Sequence, residues 1–544
     1  MSPKPGKLHT SAPSQSARRH SPWEQLLLYV RTARHLEPIQ IYSRFRPRPR
    51  FRSPGPLPLR KAVGEWLPAI PKVTSQAGPN RFRFLNQERE IASWNDPTAS
   101  LLWLYNLHYF EHVDGALVER WINENPSGRG IGWDPYPTSL RIVNWCKWIL
   151  GGARPGPDVR ASLAAQAAWI EKRLEYHLLA NHLLANAKAL IFAGSLFDGE
   201  HADRWLSKGI RILSEELPRQ ILSDGAHFER SPMYHSIILE DMLDLCNLRR
   251  ALSPRLPNLS GHVSRMLGWL DCMVHPDGEI SFFNDAALGI APDRNALESY
   301  AANLGIFRTR LRLGESGYRR IGNRRVAVIF DAAPLGPDYQ PGHGHADALS
   351  FEASCDGRRV LVNSGTSTYD KGSDRAYEVG TAAHNTILID GVDQSEMWGA
   401  FRVARRAVPF DIRTDQHSFV EAAHDGYHRL PHKVTHRRRI ELNNDLLVIT
   451  DWVEGTGVHK VDIFFHLAPG ANPLIALDPK MRRESISSTW RARFNTGIPN
   501  RTVVGHWSGS CPARFETRIE LCETARPTVL LHALNGAKLV NPPY

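Results

Sequence analysis

Arg325-Val326-Ala327-Val328-Ile329-Phe330 is a short run rich in β-branched and aromatic residues, and it marks where the chain changes character. Downstream of it, segments 349–353 and 359–362 flank the turn pair Asp356-Gly357, and 385–389 precedes Asp390-Gly391. Further runs at 438–442, 446–452, 460–465, 501–507, 515–522 and 528–533 also read as strands and hairpins. Many short strands with no helices between them imply an antiparallel β-sandwich. Upstream, from about residue 95 to 310, the period is helical. Segments 140–150, 161–176, 182–197, 202–213, 234–252 and 263–274 carry apolar residues at three- and four-residue steps. Breaks at Gly151-Gly152, Pro155-Gly156, Asp198-Gly199, Ser253-Pro254 and Pro276-Asp277-Gly278 predict short connections between antiparallel helices, hence a helical-hairpin array or toroid. The expected fold is a multidomain α+β chain. A basic, partly disordered arm spans 1–62, a helical domain 63–315 and a sandwich 316–544.

Composition agrees with more than one core. The 544 residues are 42% hydrophobic and 23% charged, and single cores stop growing near roughly 250–300 residues. The net charge of +11 is localised: residues 1–62 hold thirteen Lys or Arg against two acids, and the remaining 54 basic and 54 acidic residues cancel. This weakens the case for nucleic acid as a partner, and none is expected. The arm, punctuated by Arg46-Pro47-Arg48-Pro49-Arg50, reads as extended and solvated. Its functional alternative is peripheral attachment to an anionic surface, phospholipid or acidic polysaccharide, with Trp23 and Leu26-Leu27-Leu28-Tyr29-Val30 as a short interfacial helix. No segment reaches the roughly 18–20 apolar residues of a membrane span, and no export signal is readable. The six scattered cysteines, with no CxxC pair, read as buried thiols.

The chemistry-bearing segments are Gly342-His343-Gly344-His345-Ala346-Asp347, Asn181-His182 and Tyr234-His235. Taken as an extended strand, the first sets His343, His345 and Asp347 on one face. Such groups suit β-elimination from a uronic-acid polysaccharide. The proton beside a carboxylate is removable only when that carboxylate is neutralised, which an amide and a cationic imidazole do by hydrogen bonding the charge that builds up. A base then takes the proton and an acid protonates the leaving oxygen, which suits His and a Tyr of lowered pKa. Trp103, Tyr105, His108, Tyr109, Trp133, Tyr136 and Arg141 are candidates for a sugar groove, joined by Arg375 and Tyr377. Each residue alone also has a structural reading as cap, core aromatic or satisfied polar group. Two other classes stay open. One is a hydrolase using two of Asp224, Glu229, Glu240 and Asp241; the other is a non-catalytic polysaccharide-binding protein that assists polymer assembly or export.

Asn181-His182-Leu183-Leu184-Ala185-Asn186, Glu229-Arg230-Ser231-Pro232-Met233-Tyr234-His235, Gly342 to Asp347 and Ala383-His384-Asn385-Thr386 resemble the heparinase II/III-like polysaccharide lyases across roughly residues 90–540. Tyr105-Asn106-Leu107-His108-Tyr109-Phe110 and Gly132-Trp133-Asp134-Pro135-Tyr136-Pro137 are similar to motifs of a bacterial subgroup encoded with exopolysaccharide or capsule genes. The resemblance implies an (α/α) toroid followed by a β-sandwich, and a carbon-oxygen lyase acting on an acidic polysaccharide. It implies that Asn181 with His182 neutralises the carboxylate. Tyr234 is then the acid or acid/base, with His235 adjacent and His343 as partner base. His345, Asn363 and His384 fall on a structural site for one divalent metal, zinc or calcium. Here the chain departs from the family, because Asn363 stands where the family has Asp. The resemblance also implies the cell envelope or periplasm, against a cytoplasmic alternative.

Overall fold

The computed structural model describes residues 21–45, 47 and 51–522. Its helices are α1 (Pro22–Ala33), α2 (Pro38–Phe45), α3 (Leu101–Tyr109), α4 (Gly115–Glu124), α5 (Pro135–Leu150), α6 (Pro157–Glu171), α7 (Ala180–Leu196), α8 (Glu200–Gln220), α9 (Pro232–Ala251), α10 (Ser260–Met273), α11 (Arg294–Asn303) and α12 (Ser373–Glu378). In the toroid, α3, α5, α7, α9 and α11 pack successively as an inner layer, with α4, α6, α8 and α10 behind them. Position in this array explains composition. Every residue of α7 but one is buried, as expected of a helix apolar all round, and the exception is His182. By contrast α8, in the outer layer, buries only one stripe.

The last toroid helix ends at Asn303 and the first sandwich strand begins at Tyr318. One four-stranded sheet runs Tyr318–Gly322, Val326–Asp331, Phe351–Cys355, Arg358–Leu361. A six-stranded sheet has the spatial order Pro409–Thr414, Phe419–His424, Thr435–Asn443, Leu446–Glu454, Ala513–Glu520, Leu474–Ala476. A second four-stranded sheet has the order Arg482–Trp490, Ile498–Ser510, Val458–His466, Ile387–Ile389. All pairings in these three sheets are antiparallel. Val328, Phe330, Ile387, Ile440, Ile449, Ile463, Val503 and Phe515 bring the inner faces into one core. The expected strand at 528–533 lies outside the described residues.

Two features lock the domains together. Ala492 and Phe494, in a sandwich loop, insert into the toroid core, where the Leu288 amide donates to the Ala492 carbonyl at 2.7 Å. Trp269 and Phe283 pack with Tyr318 and Ile329 across the junction.

Three expectations are corrected. Gly342 to Asp347 is a turn and coil segment, not a strand, because the Gly344 amide donates to the Pro341 carbonyl, the His345 amide to Asn284 Oδ1 and the Ala346 amide to the Val379 carbonyl rather than to a ladder. Residues 22–45 are not extended. Ser21 and Glu24 form a reciprocal capping box that starts α1, and both helices dock on the body of the protein. Cys355 and Cys522 are not thiols but a disulfide with Cα atoms 5.6 Å apart, closing 167 residues of sandwich.

Candidate active site

The two helices that carry the toroid's contribution both start after residues in the left-handed region. Leu179 and Ala180, with φ of 61° and 50°, turn the chain into α7, so that Asn181 and His182 stand in its first turn. Arg230, with φ of 58°, precedes Ser231, whose Oγ accepts from the Tyr234 amide at 3.1 Å and caps α9. Backbone strain of this kind persists only where the surroundings over-determine it. At α7 the surroundings are carboxylates. Asn181 Nδ2 donates to both oxygens of Glu229 at 2.9 Å, and His182 Nδ1 donates to Glu175 at 3.1 Å. Glu175 is in turn held by Asn186 Nδ2 at 2.9 Å. Burial disfavours charge on His182, but Glu175 more than offsets this and raises its pKa, so the imidazolium is favoured. The rings of Tyr136 and His182 lie 4.6 Å apart.

The sandwich side is organised around Asp285, which is fully buried in the segment joining α10 to α11. It accepts from His343 Nδ1 and His345 Nε2, each at 2.9 Å. Arg375, from α12, binds it through both terminal nitrogens. Burial opposes ionisation of Asp285, yet Arg375 and the two imidazoles hold its carboxyl well below the usual range. With Nδ1 tied to Asp285, His343 presents Nε2 toward the cleft, 4.0 Å from Glu229. Its ring stacks on Tyr234 with centroids 3.9 Å apart. The Tyr234 hydroxyl lies 3.2 Å from that of Tyr369, and Phe401 packs against both Tyr369 and His343. Gly344 permits this loop, since a Cβ there would sit 2.5 Å from the Leu335 carbonyl oxygen.

Asn181, His182, Tyr234 and His343 therefore converge, and Tyr136 joins them. The expected Tyr of lowered pKa is corrected: burial pushes Tyr234 well above the ordinary phenol value, so it holds its proton. His235 points into the core. Its Nε2 donates to the Met266 carbonyl at 3.0 Å, its Nδ1 accepts from the His227 amide, and burial lowers its pKa to about 3. Of the groove candidates, Trp103, His108, Trp133 and Arg141 are core residues. The two nitrogens of His108 meet Trp121 Nε1 and the Trp94 carbonyl. Trp133 donates to the Asn125 carbonyl, and Arg141 bonds Gln166 and the His108 carbonyl while lying 3.9 Å from the Trp121 ring. Tyr109 is also buried, edge-on to Tyr136. Tyr105 is half-buried and donates to Asp134 at 3.0 Å. Tyr377 sits under Arg491, so Tyr369 takes the place expected for it. Asp285, Glu175 and Tyr369 were not anticipated; an acid embedded in Phe282-Phe283-Asn284-Asp285-Ala286-Ala287 is the available signal for the first.

The carboxylates considered for a hydrolase are each engaged. Asp224 accepts from Gly314 and Ser316, Glu240 pairs with Lys72 at 2.9 Å, and Asp241 pairs with Lys188 at 2.6 Å. Glu229 holds Asn181.

The candidate metal residues lie behind His343. His345 and His384 have ring centroids 5.3 Å apart, and each leaves a buried Nδ1 without a hydrogen-bond partner, as Asn363 leaves its Nδ2. Burial keeps both imidazoles neutral, the ligating form. The set nevertheless lacks an anion. Asn363 Oδ1 accepts from the Asn385 amide, Asp285 is paired with Arg375, and Asp347 shares a buried hydrogen bond with Asp331, with burial raising both carboxyls. Two imidazoles and an amide do not make the charge-balanced set that zinc or calcium takes. The one cluster of three His, Cys or acidic groups among the described residues, Cys355, Asp356 and Cys522, has both sulfurs in the disulfide.

Residues 308–528 match the family model described as Heparinase II/III-like, C-terminal, and residues 160–310 match Heparinase II/III N-terminus. The chain is 25% identical over 346 residues to a heparin-sulfate lyase of Bacteroides thetaiotaomicron, covering 55% of this chain and 47% of that protein. It thus spans about half the length of that curated relative. It is 24% identical over 402 residues to FtsZ-localized protein C of Caulobacter vibrioides, covering 68% of each. The crystal structure of heparinase III superposes with a TM-score of 0.58 at 18% identity, covering 74% of this chain and 72% of that one, a likeness of fold.

Proposed function

This chain belongs to the heparinase II/III-like family, and from that premise we propose that it is a carbon-oxygen lyase that cleaves a uronic-acid-containing polysaccharide by β-elimination. The observation that carries the proposal is the stacked Tyr234–His343 pair, with His343 Nδ1 fixed by Asp285. That bond leaves the lone pair on Nε2, facing the cleft, where a base must be. Tyr234, kept protonated by burial, is the matching acid.

In this scheme the substrate carboxylate sits at the first turn of α7. The Asn181 amide, positioned by Glu229, and the His182 imidazolium stabilise the charge that develops on it, assisted by the positive helix end. His343 Nε2 takes the proton next to the carboxylate. The electron pair forms the ring double bond, the bond to the glycosidic oxygen breaks, and the Tyr234 hydroxyl protonates that oxygen. The base and the acid lie side by side, so proton removal and departure occur on one face of the sugar. Proton exchange between His343, Tyr234 and solvent restores the start. No step passes through a metal.

The wall beyond Tyr136 refines the substrate. Lys188 is paired with Asp241 and Asp244, Lys147 with Asp244, and Lys72 with Glu240. These cations are already matched, which favours a polymer whose main anion is the carboxylate rather than sulfate ester. An exopolysaccharide of the producing cell is such a polymer. The Cys355–Cys522 disulfide supports an oxidising compartment, in keeping with the cell envelope. Mass spectrometry of digests made with polyglucuronate, hyaluronan, alginate and heparan sulfate tests the reaction type. Elimination gives two fragments whose masses sum to that of the parent, whereas fragments that together gain one water establish a hydrolase instead.

A further inference from the structure

Helices α1 and α2 carry an apolar stripe on the side turned away from the body of the protein. Trp23, Leu26 and Val30 recur at three- and four-residue steps on α1 and are 67%, 49% and 56% exposed. Ile41 and Phe45, one turn apart on α2, are 46% and 81% exposed. These helices are not loose. On the inner face of α1, Leu28 is buried, Arg31 pairs with Glu396 at 3.2 Å, and Trp398 Nε1 donates to Thr32 Oγ1 at 3.0 Å. Gln40 of α2 is buried and donates to the Tyr339 carbonyl at 3.1 Å. The body therefore holds the helices in place and still leaves their apolar residues in water, where a purely structural strap would place polar ones.

Charge identifies what covers this face. The whole net charge of +11 belongs to residues 1–62, and Arg34 and Arg44 are exposed beside the stripe, as is Arg402 next to α1. We propose that this face docks on the surface of an anionic phospholipid bilayer, with the apolar stripe at the acyl boundary and the arginines on lipid phosphates. A second copy of the chain brings like charge against like, and a soluble acidic polymer offers no apolar phase for Trp23 or Phe45. Among the described residues no helix is long and apolar enough to cross a membrane, so the contact is peripheral. The hairpin that α1 braces also carries Phe401, at the rim of the catalytic cluster, so docking holds the cleft beside the lipid surface.

Co-sedimentation of the full chain with vesicles tests this. Binding is expected to phosphatidylcholine vesicles containing phosphatidylglycerol and not to phosphatidylcholine alone, with release at high salt. Leu26→Ser with Phe45→Ser is expected to weaken it by about tenfold or more, with thermal unfolding unchanged. Arg34→Glu with Arg44→Glu, which touches no core contact, is expected to weaken it as well. Equal binding to both vesicle types, no binding, or binding insensitive to both variant pairs overturns the proposal. So does a change in mass by light scattering, with vesicle binding unaltered, in the Leu26/Phe45 variant, which makes a second copy the occupant.

Discussion

The Asp285 carboxylate holds two imidazoles and a guanidinium from inside the protein, with the Thr366 hydroxyl as a fourth donor, and removing its charge affects the three cationic or imidazole partners at once. Asp285→Asn leaves the Arg375 guanidinium buried and unpaired, which costs about 3–5 kcal/mol of stability, read as a lower midpoint in urea or guanidinium. The same change frees His343 to adopt the other tautomer, so the residual folded enzyme loses kcat more than KM. A second residue-scale expectation concerns pH. The His182 pKa is raised, so its contact with Glu175 contributes fully below the ordinary imidazole value of 6.5 and is lost as pH rises through the higher folded value. The Glu175 pKa is depressed, so its share is present above the ordinary 4.5 and is lost as pH falls through the lower folded value. If the imidazolium is the active form, kcat/KM falls on the alkaline side, and Glu175→Gln moves that fall to lower pH. A pH–rate profile checks it. At this scale the sequence carried the site only in part. Asn181, His182, Tyr234 and His343 stand in recognisable motifs, whereas Asp285 and Tyr369 act on residues 58 and 135 positions away, which no local pattern encodes, and Glu175 reaches His182 seven residues on only through the turn that leads into α7. His235, His108 and Arg141 misled for the opposite reason: a polar side chain satisfied by backbone carbonyls leaves the same letters as a catalytic one.

Two elements position the reacting groups, and each has a single point of failure. Ser231 caps α9 and its hydroxyl also donates to the Asp285 carbonyl, so Ser231→Ala removes a cap worth about 1 kcal/mol and loosens Tyr234 from Asp285. The expected result is a small drop in melting temperature with a larger drop in kcat. Gly344→Ala drives a Cβ into the Leu335 carbonyl; overpacking costs about 1–3 kcal/mol, and the loop that must shift carries His343 and His345. The helical stretches at 140–150, 182–197 and 234–252 were legible because apolar stripes persist over several turns; α5 and α9 begin a few residues earlier at Pro135 and Pro232, and α7 begins two residues earlier at the positive-φ pair Leu179 and Ala180. The Gly342 to Asp347 segment read as a strand because alternation alone cannot tell a strand from a coil whose amides bond elsewhere. Helix α1 was legible as the short helix read from Trp23 and Leu26 to Val30, whereas α2 was hidden by the Arg- and Pro-rich sequence that follows it.

For the molecule as a whole, the switch from helical to strand period near residue 320 made the two-layer plan readable, and what it omitted is how the parts are held together. The Cys355–Cys522 bond joins residues 167 apart, which no spacing rule pairs. Closing so long a loop contributes about 2–5 kcal/mol, so Cys355→Ser is expected to lower the unfolding midpoint of the sandwich, with the wild type matching it in reductant. The domains meet where Asn181 and His182 face His343, so activity is expected to disappear when that junction opens, before the bulk of the secondary structure is lost. The central claim is that the Tyr234–His343 pair carries out an elimination. The measurement that tests it most directly is the ultraviolet absorbance of wild type and Tyr234→Phe incubated with uronate polymers, because elimination alone creates a conjugated unsaturated uronate. A rise with at least one polymer, reduced by about 10²–10⁴-fold in Tyr234→Phe while binding persists, is the predicted result. Flat absorbance with every polymer bound, or a rise that Tyr234→Phe leaves intact, contradicts it.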